Sequence, residues 1–417
     1  MIKELQLQNW KSFADATLYI DPLTVLIGSN ASGKSNALDA LLFLNRISQG
    51  VTLFTAIAGD QNLPPLRGGL EWACRKPENQ FTLGIVLASS PGKQDYHYEL
   101  SVVVNGTKAE IASERLALLS QDSRSQTPRE RVLFQTREEA TTAPGIPAYF
   151  RTGTQGPGKR LDLNRGYSIL SQVETLNIRK EVLTGAREVL SHLQKIFILD
   201  PVPGHMRDYT ALSEQLLTDG SNIAGVLAGL EGNRKTQVEQ TLTHYLRALP
   251  ERDIKRIWTE PVGKFQTDAM LYCEEGWKTD ATHEIDARGM SDGTLRFLAI
   301  VTALLIREPG SLLVIEEVDN GLHPSRAHML VDMLKTLGKE RHIDIVVTTH
   351  NPALLDAAGM TMLPFITVAH RDDATGYSLL TLLEDIDQLP KLMAGGSLGR
   401  LSSEGRIESA LKQEALP

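Results

Sequence analysis

Gly28-Ser29-Asn30-Ala31-Ser32-Gly33-Lys34-Ser35 decides the fold class of this 417-residue chain. Every fixed position of G-x-x-x-x-G-K-[ST] is met, and the context agrees: a short apolar run, Leu23 to Ile27, precedes it and a helical pattern follows. The glycines let the backbone curl until successive N–H groups point at phosphates, and the helix N-terminus adds partial positive charge. Lys34 can reach the β- and γ-phosphates, and the Ser35 hydroxyl can ligate Mg²⁺. Gly28, Asn30, Ser32, Gly33, Lys34, Ser35 and Asn36 are therefore the candidate nucleotide-binding residues.

On the N-terminal side, Ile2 to Leu7 and Ala16 to Ile20 alternate loosely and read as strands, and Asp21-Pro22 breaks the pattern. On the C-terminal side, Leu38, Leu41, Leu42 and Leu44 fall at helical spacing. The same grammar returns near the end of the chain. Helix 294–306, strand 312–315, helix 326–339 and strand 343–348 alternate as in a parallel sheet with covering helices.

Leu312-Leu313-Val314-Ile315-Glu316-Glu317 is an apolar strand delivering two adjacent acids at its C-terminal end, where ligands of a parallel sheet bind. One carboxylate can hold Mg²⁺ and the other can deprotonate an attacking water; Glu316 is assigned to the metal and Glu317 to the base. The next apolar strand ends in Thr348-Thr349-His350, and a histidine there can hydrogen-bond the γ-phosphate or the water. The catalytic set is thus Lys34, Glu317 and His350, with Ser35 and Glu316 on the metal.

Between these ends, residues 80–87 and 96–104 read as a hairpin across Ser90-Pro91-Gly92, with Asn105-Gly106 turning into a further strand. From about 121 to 166 the chain is polar and aperiodic, which predicts a mobile loop or arm. Helical patterns at 174–193 and 233–249 are too short for an extended coiled coil. Between 123 and 180 ten basic residues face five acids, a local excess on an acidic protein that suits phosphate contacts or a solvated loop.

The whole-chain balance of 43 basic against 51 acidic residues gives a net charge of −8 and excludes a uniformly basic DNA-coating protein, though not a local basic groove. Cys74 and Cys273 are too few and too far apart for a disulfide scaffold or a zinc site. No apolar window of about 18 residues occurs, and Met1 to Leu5 lack the apolar core of a signal peptide. A cytoplasmic location without membrane contact is expected.

The order of motifs resembles the ABC-type ATPases of the RecF and SMC class, and more closely the compact ATPases that include the ATPase half of OLD nucleases. Gln8-Asn9-Trp10-Lys11-Ser12-Phe13 with the P-loop, residues 290–324 and residues 345–356 carry the likeness. It implies an α/β P-loop head with a mixed sheet, an antiparallel β subdomain and an inserted, mainly helical lid or arm. The head would be split into 1–115 and 286–417 around an insert, 116–285, that is partly flexible. It also implies a signature loop at Ser291-Asp292-Gly293-Thr294, with Ser291 and Gly293 capping the γ-phosphate held by a second copy, so that ATP and Mg²⁺ sit between two heads. Lys11, Ser12 and Phe13 would lie near the base or α-phosphate, with Phe13 equally readable as a core residue, and Gln61 or Gln80, by order alone, would supply the glutamine loop. Three positions depart from the pattern: Asp292 replaces a glycine, Glu316 an aspartate and His323 an aspartate, which points to slow or partner-dependent turnover. Too few residues follow His350 for a TOPRIM nuclease domain, and Asp385-Ile386-Asp387 reads as an exposed helix start or loop. DNA-related work in repair or anti-phage defence, with a separately encoded nuclease or toxin as effector, is the expectation. An ATP-bound scaffold with rare turnover is the alternative, and a transporter ATPase fits less well.

Overall fold

The computed structural model describes residues 1–89, 94–120, 129–137, 143–153, 156, 158–249, 254–276 and 282–414; the Ser90-Pro91-Gly92 turn and Arg124 lie outside them. The first part of the chain holds strands β1 (Ile2–Gln8), β2 (Asp15–Tyr19) and β3 (Leu23–Ile27), then helices α1 (Lys34–Ser48) and α2 (Leu53–Ala58). Six strands follow: β4 (Gln80–Ala88), β5 (Gln94–Asn105), β6 (Lys108–Ser120), β7 (Arg129–Thr136), β8 (Gly145–Phe150) and β9 (Lys159–Asn164). The middle contains α3 (Ile169–Gln172), α4 (Lys180–Gln194), β10 (Ile196–Leu199), β11 (Thr210–Ala211), α5 (Ile223–Ala228), α6 (Gly232–Arg247), β12 (Ile254–Val262), β13 (Asp268–Gly276) and β14 (Thr282–Asp286). The last part runs α7 (Asp292–Ile306), β15 (Leu312–Ile315), α8 (Ala327–Arg341), β16 (Asp344–Thr348), α9 (Pro352–Ala358), β17 (Ile366–Arg371), β18 (Ser378–Leu382), α10 (Leu389–Met393), α11 (Leu398–Ser403) and α12 (Arg406–Glu414).

These strands form three sheets. The central one has the order β10-β15-β16-β3-β17-β18, parallel except for the β17–β18 hairpin at its edge. It is covered on both faces, as continuous apolar strands of a parallel sheet require. Alternation along each strand assigns the faces: Leu23, Val25 and Ile27 enter one core and Leu26 the other, as do Leu313 and Ile315 against Leu312 and Val314. The first core is filled by α5 to α9 and the C-terminal helices, the second by α1, α4 and the antiparallel sheet β2-β1-β4-β5-β6-β7-β8-β9. Phe81 meets Trp10 and Phe43 edge-on in that second core and ties α1 to the antiparallel sheet, with the Trp10 Nε1–H donating to Asn36 O at 2.7 Å.

The stretch 121–166, expected to be a loop, instead contributes β7, β8 and β9, which extend the antiparallel sheet by three strands. Residues 116–285 accordingly alternate helices with strands rather than being mainly helical. The reason is exposure: β9, Lys-Arg-Leu-Asp-Leu-Asn, ends an open sheet with no residue fully buried, so its period-2 signal is faint. Among the described residues no helix is long and apolar enough to cross a membrane.

Candidate functional site: a phosphate cavity at the sheet edge

Because β10, β15, β16 and β3 run parallel in register, their C-terminal ends open on one edge of the sheet. The P-loop leaves β3 there, Glu316 and Glu317 leave β15, and His350 follows β16. Together they enclose a cavity of about 290 Å³ lined by Asn30 to Asn36, Glu316, Glu317, Thr348, His350 and Arg371. Gly28 lies at the loop's base with φ +138°; a Cβ there would sit 2.0 Å from Ala369 O of the neighbouring β17, so only glycine lets the loop leave the sheet.

The Lys34 Nζ donates to Gly28 O at 2.7 Å and to Ser29 O at 3.0 Å, folding back over the loop it belongs to. Burial pushes its ammonium down to about 8, against the pull of Glu317. The Ser32 hydroxyl is buried inside the loop and has no hydrogen-bond partner among the described residues. An orphaned hydroxyl beside a curled, N–H-rich loop, a lysine and a threesome of Ser35, Glu316 and Glu317 is a donor set that fits a nucleotide with its Mg²⁺.

The acids are held differently. Glu316 takes a bidentate pair from Arg67 (Nη1 to Oε2 2.9 Å, Nη2 to Oε1 2.7 Å), and the same guanidinium donates to Asp39 and, at 3.1 Å, to Ser35 O. Asp39 is buried on α1 and also paired with Lys11. Against the cost of burial, the bonds to Glu316 and Asp39 hold the Arg67 guanidinium above its ordinary value. Glu317 has φ +45°, a left-handed conformation costing about 1–2 kcal/mol for a residue with a side chain. It is locked by its own N–H donating to Thr348 Oγ1 at 2.8 Å, and its carboxylate accepts from Asn320 Nδ2 at 3.3 Å. Burial, and then the Lys34 charge, push His350 below its usual range, so the ring is neutral at pH 7 and keeps one donor and one acceptor nitrogen.

Ser291 and Gly293 are elsewhere. They stand at the start of α7 and are not among the residues lining the cavity. The exposed Ser291 caps that helix, its Oγ accepting from Thr294 N at 3.1 Å. Gly293 is needed sterically, since a Cβ would lie 2.6 Å from Gly321 O in the loop after the twin acids. Asp292, which departs from the expected glycine, pairs with Arg207, whose Nη1 also gathers the carbonyls of Ala287, Arg288 and Met290. His323 caps the turn Pro324–Arg326, accepting from Ser325 N at 3.3 Å. Phe13 is fully buried core, Lys11 is committed to Asp39, and neither Gln61 nor Gln80 lines the cavity.

Arg67, Arg371 and Asp200 are the residues that sequence reading missed. Asp200 ends β10 next to Glu316; burial, and then the Glu316 charge, raise its carboxyl above the usual range. Each is a lone charged residue in an irregular segment or at a strand end: Arg371 lines the cavity, whereas Arg67 and Asp200 reach it only through Glu316.

Two family models match the chain: "AAA ATPase domain" over residues 1–110, and "AAA domain, putative AbiEii toxin, Type IV TA system" over residues 233–356. Among solved structures it is similar to an SMC head bound to the C-winged helix domain of ScpA, at 15% identity and TM-score 0.51, over 91% of this chain and 96% of that one. It is also similar to an SMC head domain with an extended coiled coil bound to the C-terminal domain of ScpA derived from Pyrococcus furiosus, at 13% identity and TM-score 0.51, over 94% and 99%. At these identities the likeness is one of fold. No curated protein matches the chain in sequence. AAA models thus match two separate stretches of the chain, the first of them holding the P-loop, and the fold around the P-loop cavity is that of an SMC-type ATPase head.

Proposed function

We propose that the chain is a Mg²⁺-dependent ATPase, converting ATP and water to ADP and phosphate, whose two copies close head to head on ATP and part after hydrolysis. The observation that carries this reading is the convergence of Lys34, Ser35, Glu316, Glu317, Thr348 and His350 on one cavity while Ser291 and Gly293 stand outside it. Lys34 and the loop N–H groups bind the phosphate chain, and Glu317 accepts the proton of the attacking water. His350, neutral, orients that water or donates to the γ-phosphate. Ser35 and Glu316 are the residues that would hold Mg²⁺, which when bound neutralises phosphate charge. Ser291, Gly293 and the start of α7 in the second copy complete the γ-phosphate site.

The work coupled to this cycle is DNA-related, in anti-phage defence or repair, with a separately encoded nuclease or toxin as effector. Support for a defence setting comes from the description of the model that matches residues 233–356. Support for an added protein comes from the ScpA-bound state of the similar SMC heads. Exposed Arg129, Arg131, Arg137, Lys159, Arg160, Arg179 and Lys180, on β7 to β9 and beside α4, are the groups for phosphate contacts with DNA. One observation favours the alternative of a slow ATP-bound scaffold: Arg67 already occupies both oxygens of Glu316.

Size-exclusion light scattering of Glu317→Gln with Mg-ATP, with and without duplex DNA, tests the reading. An ATP-dependent dimer or larger assembly, shifted again by DNA and inactive in the cell, is the expected result. Assembly indifferent to both ligands, with function retained, would establish the scaffold instead.

A further inference from the structure

We propose that Arg371 is a further nucleotide-binding residue, gripping the phosphate chain from the β17–β18 hairpin; this rests on reading the P-loop as an ATP site. β17 pairs with β3 as far as Val368 opposite Ile27, so it continues alongside the loop that β3 feeds. Three residues on, the Arg371 Nε donates to Ala31 O at 2.9 Å, at the apex of the P-loop, and Nη1 donates to Gly376 O at 2.6 Å. Among the described residues no acceptor faces its remaining three N–H groups, and the side chain lines the phosphate cavity.

Holding two carbonyls needs only neutral donors; the charge calls for another explanation. Lys34, Arg371, Glu316 and Glu317 are the lysine, arginine and carboxylate residues that line this cavity. With Glu316 already paired to Arg67, Lys34 alone would be left to offset Glu317, and Arg371 is the cation that makes the lining net positive for a polyanion. A planar guanidinium anchored through two of its nitrogens presents the rest in a fixed fork suited to phosphate oxygens, which an ammonium cannot do. The hairpin that carries it is braced by Asp372, whose Oδ1 accepts from Thr375 N at 2.7 Å and whose N–H donates to Tyr377 O at 2.9 Å. Arg371 is therefore pre-positioned rather than recruited on binding.

Fluorescent ATP and ADP analogues titrated into wild type, Arg371→Ala, Arg371→Gln and Lys34→Ala test this, with thermal melting to verify the fold. Glutamine keeps an amide N–H for Ala31 O but removes the charge. Both Arg371 variants are expected to bind ATP and ADP at least tenfold more weakly, about 1.4 kcal/mol, with unchanged melting. Glutamine at wild-type affinity would reduce Arg371 to a shaper of the loop and overturn the phosphate contact. Alanine within twofold of wild type would overturn it also. Wild type that binds neither nucleotide, like Lys34→Ala, would overturn the ATP reading itself, an outcome distinct from both.

Discussion

Arg67 does for Glu316 what no motif announces. It lies in a loop far from the P-loop consensus, yet its guanidinium bridges Glu316 after β15 to Asp39 of α1, so the first of the twin acids and the P-loop helix share one cation. The P-loop, the twin acids and His350 were legible because each is a short pattern at the end of an apolar run. Arg67, Arg371 and Asp200 were not, because their meaning lies in which strand ends are neighbours. A second buried charge gives a measurable consequence at this scale. Asp344 starts β16 beside an apolar cavity lined by Leu23, Ile343, Met362 and Phe365, and burial pushes its carboxyl up to about 6 from 3.8. The folded protein then holds a proton that the unfolded chain has lost, so stability falls as pH rises from about 4 to 6 and stays reduced above. Asp344→Asn should match wild type near pH 4 and exceed it by about 2–3 kcal/mol at pH 8 in urea unfolding. A constant offset across that range would show that ionisation is not the cause.

Elements carry a different kind of information. Helix α7 is apolar along nearly its whole length, with Leu295, Phe297, Leu298, Ile300, Val301 and Leu304 buried, and its N-terminus is the one part left in solvent. Ser291 caps it, which gives that residue a structural duty besides any role at a phosphate. The two duties separate quantitatively. Ser291→Ala should lower stability by only about 1 kcal/mol, the cost of a lost cap, while abolishing ATP-driven dimerisation in light scattering. Loss of both in proportion would mean that the hydroxyl serves α7 alone. The antiparallel sheet shows where reading by element failed. β4 to β6 carry long apolar runs into the core beside α1 and the Trp10 cluster, whereas β7 and β8 bury only a few residues, among them Leu133, Phe134, Ile146 and Phe150, between polar flanks, and β9 at the sheet end buries none fully.

The described molecule is two cores sharing one parallel sheet, with the P-loop cavity on the sheet edge and the α7 terminus outside its lining. A single copy therefore holds every group of the proposed chemistry except the γ-phosphate cap. If the cap comes from a second copy, the two halves of the site are separable by mutation and can complement one another. Lys34→Ala and Ser291→Arg should each be inactive alone. Mixed in equal amounts, half of randomly paired dimers contain one of each, and in those one site joins an intact P-loop to an intact Ser291 while the other joins two damaged parts. ATPase activity should then recover to roughly a quarter of the wild-type rate per chain, and only when both proteins are present. A cap acting within one chain could not give this result, because every chain in the mixture would carry its own lesion. Recovery that scales with the square of total concentration at low protein would tie it to dimerisation, and the absence of activity from either variant alone excludes contaminating wild type.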